Sequence, residues 1–416
     1  MSDTERTMRA IRRLRFAPSA AAISEYGSLS AIDAISGLRE RSEAFIPGSG
    51  DPLMSRDWNE ETYDSLLQWW FDRMIAPDAG IHERMVWFWH GHLTSGQQKA
   101  NRSQLFTQHL LLRRHAMGNF RELMQAITVD AAMLRYLDGD GSEADRPNEN
   151  YARELMELFA LGIGHYQESD IRSAAKALSG WKVRDTAVTF DASLSFDAPL
   201  TFLGERKRWD VESIVNKVVD HPACAPFVTA KIHRFVAGSS APPEFVEELS
   251  RVFVDNDLAI APVVEAIIYG PTFVDAEPTR VRQPIEWLAA SAAVLGHSAS
   301  TPSAVGPRVE SWWFDQLGQI PFVPPNVAGW PDDTRWVSAG QVLARTNLLS
   351  NFTLPQSIAD VVEPTVDGVL RHCALGSVSD TTRAALDTAA ANQPSDERRL
   401  ELLLALTVLS PEFALA

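Results

Sequence analysis

The chain has 416 residues, 45% of them hydrophobic and 22% charged, the make-up of a folded globular protein and not of a disordered one. Its 38 lysines and arginines against 54 aspartates and glutamates leave a net charge of -16, which repels phosphate backbones. With no basic block in the sequence, that argues against nucleic acid as a partner. Cys224 and Cys373 are the only cysteines; lacking a CxxC spacing, they indicate neither a disulfide framework nor a thiolate zinc site and read as buried small apolar residues.

The N-terminal stretch TMRAIRRLRFAPSAAAIS holds a twin arginine, Arg12 and Arg13, before small apolar residues. Its apolar part is short and broken by Pro18, so it reads as an amphipathic first helix of the domain and not as a secretion signal. No run approaches the roughly 20 apolar residues of a membrane span. The expectation is a soluble, cytoplasmic protein with no membrane partner.

Helical periodicity then dominates to about Gly180, through WNEETYDSLLQWWFDRMIA, HERMVWFWH, SQLFTQHLLLRRHA, NFRELMQAIT and ENYARELMELFAL. Within the second of these, WFWHGH sets His90 and His92 two residues apart around Gly91. If Gly91 ends the helix, both imidazoles can face one ion. With Glu149 or Glu154 as a third member they would form a catalytic divalent-metal ligand set of the zinc or non-haem iron kind. The alternative is that at least one is a satisfied core histidine. His115, before Gly118, is a further candidate, or else a helix-end residue.

In DGDGSEADRPNE, Asp138, Asp140, Ser142 and Glu149 fall at the first, third, fifth and twelfth positions of a calcium loop. Glu143 stands where that loop needs glycine and Asp145 where it needs an apolar residue, which leaves an exposed acidic loop as the default reading. On a helical wheel of the next block, Tyr151, Ala152, Leu155, Leu158 and Phe159 share one face; Asn150, Arg153, Glu154 and Glu157 share the other. Glu154 with His90 or His92 would serve as acid or base and Arg153 as an anion clamp. The same four residues read equally as a solvated Arg–Glu face.

From about 183 to 203 short alternating runs around Asp and Pro predict a small β-hairpin or meander insertion. Helices resume through VESIVNKVVD, CAPFVTAKIHRFVAG, EFVEELSRVFVD and QPIEWLAASAAVLG. Gly296–Pro307 reads as a linker, PFVPPNVAGWPDD as an irregular loop, and VSAGQVLARTNLLSNF as a helix. The expected fold is mainly α: one large multi-helix domain over 5–355 with the β insertion, and a helical C-terminal portion over 356–416. Twelve tryptophans, several of them paired, read as core filler, with some at the boundary of a wet cleft. No GxGxxG after a strand, GxxxxGK[ST] or GxSxG is present, which disfavours nucleotide cradling and a hydrolase elbow.

Taken together, MVWFWHGHLTS, LLLRRHAMGNFRELMQAI, RPNENYARELMELFALGIGHY, SGW, TFLG and PPNVAGW resemble the bacterial family called domain of unknown function 1800, over most of the chain. The resemblance implies a mostly helical protein without an established molecular activity, often paired with a sulfatase-like or phosphatase-like partner. It also implies a His-Asp pair and a lysine just before TFLG. Here Ala198, Pro199 and Leu200 stand there, with no histidine between His165 and His221, the mark of a degenerate member if the family's chemistry used those groups. Gln167 replaces the family's threonine helix cap, at an expected cost of ~1 kcal/mol unless Ser169 takes over. Two functions from different classes fit: an enzyme whose polar pocket, with or without a bound metal, lies between the WHGH turn and the NENYARELMELF helix, or a non-catalytic binding partner or scaffold in which these residues form a structural hydrogen-bond network.

Overall fold

The structure, a computed structural model, describes residues 2–415 except 19, 41, 43, 44, 48–51, 59, 60, 276–279, 299–309 and 332. It is mostly helical, and its described strands form two antiparallel hairpins. Most of the expected linker, 299–307, lies outside the described residues.

The helices begin where short polar side chains can take the free N–H groups of a first turn. Asn101 and Gln104 cap one another, the side chain of each accepting the other's backbone N–H at 2.9 and 3.0 Å. Asp130 caps Ala131–Tyr136 from one side only, accepting the Met133 N–H at 2.9 Å. At Glu168–Ala177 the helix start is held by Asp170 and not by Ser169: one Asp170 oxygen accepts the Gln167 N–H at 2.9 Å. The other accepts the Leu203 N–H at 2.8 Å, tying this helix to the β insertion.

That insertion is wider than 183–203. Trp181–Arg184 pairs with Ala187–Phe190, and Leu200–Phe202 with Glu205–Lys207. The TFLG turn of the second hairpin puts Leu203 at φ 42° and Gly204 at φ 78°, the two left-handed residues that a tight hairpin turn requires.

The helix Ile81–His92 lies at the centre, every residue but Gly91 buried, as expected of a helix surrounded on all sides. Its buried charges are paired: Glu83 accepts from Trp70 Nε1 and Arg113 Nη1, both at 2.8 Å, and Arg84 lies 3.1 Å from Glu286. One hydrophobic cluster extends from Met8 to Phe413. Arg12 of the helix Asp3–Leu14 donates to the carbonyls of Glu412 and Leu415 at 2.7 and 2.6 Å, so the twin-arginine segment is a structural helix of the fold. No described helix is long and apolar enough to cross a membrane.

Candidate functional site

Gly91 does not end its helix. The helix continues through it to His92, and at about 100° per residue the imidazoles of His90 and His92 diverge. His90 is turned into an aromatic nest of Trp70, Trp87, Phe322 and Trp330, with ring centroids 4.8 to 5.5 Å away. Its Nε2 accepts the Phe322 N–H at 3.1 Å, so the ring proton belongs on Nδ1. Burial pushes its pKa down to about 3.

His92 goes the other way. It stacks on Phe88, and its Nε2 donates to the Phe159 carbonyl at 2.8 Å. The Nδ1 lone pair therefore points at Lys231, whose Nζ is 3.5 Å away and also donates to the Leu158 carbonyl at 3.1 Å. Burial, with Lys231 adding to it, holds the His92 pKa well below the ordinary imidazole value. His92 is a neutral acceptor beside an ammonium donor.

This couple forms part of the wall of a cavity of about 200 Å³. The Ile81–His92 helix also gives it Trp87, Phe88 and the bare backbone of Gly91; the helix Cys224–Ala237 adds Arg234 and Phe235, and Arg280 and Gln283 close it from the segment before Pro284–Val294. Trp330 completes the wall from PPNVAGW, stacked on Trp87 with centroids 5.5 Å apart and planes inclined by 27°. Gly329 permits that approach: it adopts φ 78°, and a Cβ there would lie 2.5 Å from the Gly91 carbonyl oxygen. Asn326, three residues before Gly329 in the same loop, is exposed and accepts the Ala328 N–H at 2.9 Å.

The NENYARELMELF block reaches the cavity through its end and not through its polar face. It is α-helical over Asn150–Glu154 and π-helical over Leu155–Ala160, a rare local widening often found at functional sites. Leu158 and the Leu158 and Phe159 carbonyls meet Lys231 and His92. The polar residues look elsewhere. Arg153 grips Glu168 with both terminal nitrogens, at 2.7 and 3.1 Å, and reaches Glu149 at 3.4 Å. Glu157 accepts from Tyr166 Oη at 2.7 Å, and burial followed by the Glu157 charge raises the pKa of Glu154.

The four residues of the expected metal set thus do not converge. His90 and His92 are engaged by Phe322, Phe159 and Lys231, Glu149 by Arg153. Among the described residues no three His, Cys, Asp or Glu side chains come together as a metal-binding group. In the acidic loop, protein groups occupy the carboxylates: Asp138 takes Lys99 at 2.6 Å and Asn150 at 3.2 Å, while Asp140 takes the Val183 N–H and Arg135, both at 2.8 Å. His115 is the last residue of its helix, and its carbonyl accepts the Gly118 N–H at 3.0 Å.

Sequence reasoning reached His92 and the block that holds Leu158 but missed Lys231, Arg234 and Arg280. The spacing of Lys231 and Arg234 at i and i+3 in TAKIHRFVAG is the available signal, since it sets both on one side of a helix. Arg280 carries no local signal. No curated protein and no solved structure matches the chain. The model of the family described as a protein of unknown function (DUF1800) matches residues 5–415, essentially the whole length, and the chain belongs to that family.

Proposed function

We propose that the protein is an enzyme whose active site is the cavity between the helices Ile81–His92 and Cys224–Ala237, with Lys231 as the working group. The observation that carries this reading is the Lys231–His92 couple on the cavity wall. A neutral imidazole whose other nitrogen is fixed by the Phe159 carbonyl is a rigid acceptor, and it aims the ammonium with the Leu158 carbonyl as second anchor. A donor positioned in this way can stabilise negative charge that develops on a bound substrate, or deliver a proton to it. His92 is a positioning residue here, because its own basicity is suppressed. Two buried free cysteines fit a reducing, cytoplasmic setting.

The test is turnover. The full chain is offered p-nitrophenyl esters, phosphates, sulfates and glycosides, beside Lys231→Met and His92→Gln variants whose folding is checked by thermal melts. The expected outcome is release of nitrophenol from at least one substrate, reduced on the order of a hundredfold in Lys231→Met, the scale of a lost transition-state donor. Turnover of none, or equal turnover by Lys231→Met, defeats the catalytic reading.

A second reading is favoured for the other polar cluster. Arg153 with Glu149 and Glu168, and Glu157 with Tyr166, act as structural pairs, because the fork of Arg153 is spent on Glu168 and Glu157 accepts from Tyr166. The Arg153–Glu168 pair joins the NENYARELMELF helix to the one that follows it.

A further inference from the structure

The cavity wall of this acidic chain is locally cationic. Lys231, Arg234 and Arg280 all line it, and none of its described lining residues is a carboxylate. Behind the wall lies a set of buried guanidiniums. Arg280 is only 2% exposed and donates one nitrogen to Glu286 at 2.7 Å, leaving Nη1 without a protein partner. The second Glu286 oxygen serves Arg84. Arg282, also buried, has neither terminal nitrogen hydrogen-bonded. Glu286 is the only described carboxylate paired with any of these three guanidiniums. Buried charge of one sign without its counter-charge is costly, and the low dielectric that makes it costly strengthens its attraction for an anion.

The rest of the wall is flat and apolar. Trp87 and Trp330 stack along it, and Phe88 and Phe235 lie against each other with centroids 5.4 Å apart. Aromatic faces of this kind receive another flat ring. The volume of about 200 Å³ falls below the roughly 300–1,000 Å³ of sites for drug-sized ligands, which suits a ligand whose enclosed part is about one ring and one charged group.

We infer that the cavity binds a single-ring organic anion, with its carboxylate or phosphate held by Lys231, Arg234 and Arg280 and its ring against Trp87 and Trp330. This inference rests on the cavity reading above and names its ligand class. The charge comes from one side of the helix Cys224–Ala237 and from the buried arginine set; the ring recognition comes from the WFWHGH and PPNVAGW segments.

Trp87 and Trp330 report the ring-bearing probes, because a ring placed against them alters tryptophan fluorescence, and titration calorimetry reads inorganic phosphate and the Trp330→Leu variant. The full chain is titrated with benzoate, phenyl phosphate, inorganic phosphate and benzamide. Benzoate or phenyl phosphate should bind at least about tenfold more tightly than neutral benzamide, the scale of one charged hydrogen bond, and binding should weaken as salt rises. Arg234→Ala should weaken the anionic probes about tenfold with Arg234→Lys intermediate; thermal melts show whether each variant is folded. Trp330→Leu should weaken the ring-bearing probes and leave inorganic phosphate unchanged.

Equal binding of benzamide and benzoate overturns the inference. So does binding of no anionic probe, or inorganic phosphate binding as tightly as phenyl phosphate. These titrations read affinity, whereas the Lys231→Met experiment reads turnover. Binding without turnover therefore removes only the catalytic reading, and turnover without preference for anions removes only this one.

Discussion

His90 and His92 sit two residues apart on one helix and carry their protons on different nitrogens, because one ring nitrogen meets a backbone N–H and the other a backbone carbonyl. Neither ring, nor the buried His109 nearby, can take up a proton without a charge appearing in the core. Burial lowers His90 to about 3 and holds His92 and His109 well below the ordinary value. An unfolded histidine protonates near 6.5, so as the pH falls below that value the unfolded chain gains protons that the folded chain refuses. Stability is lost by about 1.4 kcal/mol per histidine for each further pH unit until the folded pKa is reached. Asp130 works in the opposite direction: burial raises it to about 6, so the folded state takes its proton first and offsets part of the loss. Urea denaturation at pH 7.5 and 5.5 should show a clearly lower midpoint at pH 5.5. An unchanged or higher midpoint would mean that the imidazoles are not held neutral.

At the scale of elements, the helix Ile81–His92 contains a glycine in its last turn with nothing within 4 Å of where a Cβ would stand. Glycine within a helix is about 1 kcal/mol less favourable than alanine, so packing does not explain its presence. Its position on the cavity wall does. Gly91→Ala should raise stability, by up to about 1 kcal/mol in denaturant melts, while the new methyl narrows the cavity and weakens the anionic probes. A destabilised variant, or one that binds unchanged, would contradict this account. Gly91 also marks where sequence reasoning stopped short. Most long helices were legible from their periodicity and caps, and the β insertion from its alternation, since both signals are local. Glycine's helix-breaking tendency suggested an end at Gly91, but burial on all sides outweighed that propensity and carried the helix on to His92. The polar face of Asn150–Glu154 was likewise legible as a cluster. Its partners Glu168 and Tyr166 lie beyond the turn that follows the helix, outside what a wheel displays. Lys231 and Arg280 come to the cavity from 139 and 188 residues beyond His92, and no spacing rule reaches so far.

Across the whole molecule, Glu286 links distant parts of the chain. It sits on Pro284–Val294, meets Arg84 from the central helix and Arg280 from the cavity wall, and accepts the Gln283 N–H at 2.8 Å. The next residue, Trp287, donates to the Val408 carbonyl at 2.8 Å, and His372 reaches Val294 at 2.8 Å, so the C-terminal helices are fastened to the same element. Burial tends to raise the Glu286 pKa, but the charges of Arg280 and Arg84 outweigh it and the carboxyl stays below its ordinary value. It is a carboxylate whose removal leaves buried guanidiniums with no described counter-charge. Breaking a buried pair in this way costs roughly 3–5 kcal/mol, a large fraction of the stability of an ordinary protein. Glu286→Gln keeps the shape and removes the charge, so it should lower the unfolding free energy read from urea denaturation by that amount. If the cavity takes anions, the variant also has a stronger need for one, and ligand that binds only the folded state stabilises in proportion to its affinity. Phenyl phosphate should then raise the melting temperature of Glu286→Gln more than that of the unaltered protein. A variant as stable as its parent would show that the arginines are compensated elsewhere. A destabilised variant that phenyl phosphate helps no more than its parent would separate the buried cluster from the cavity.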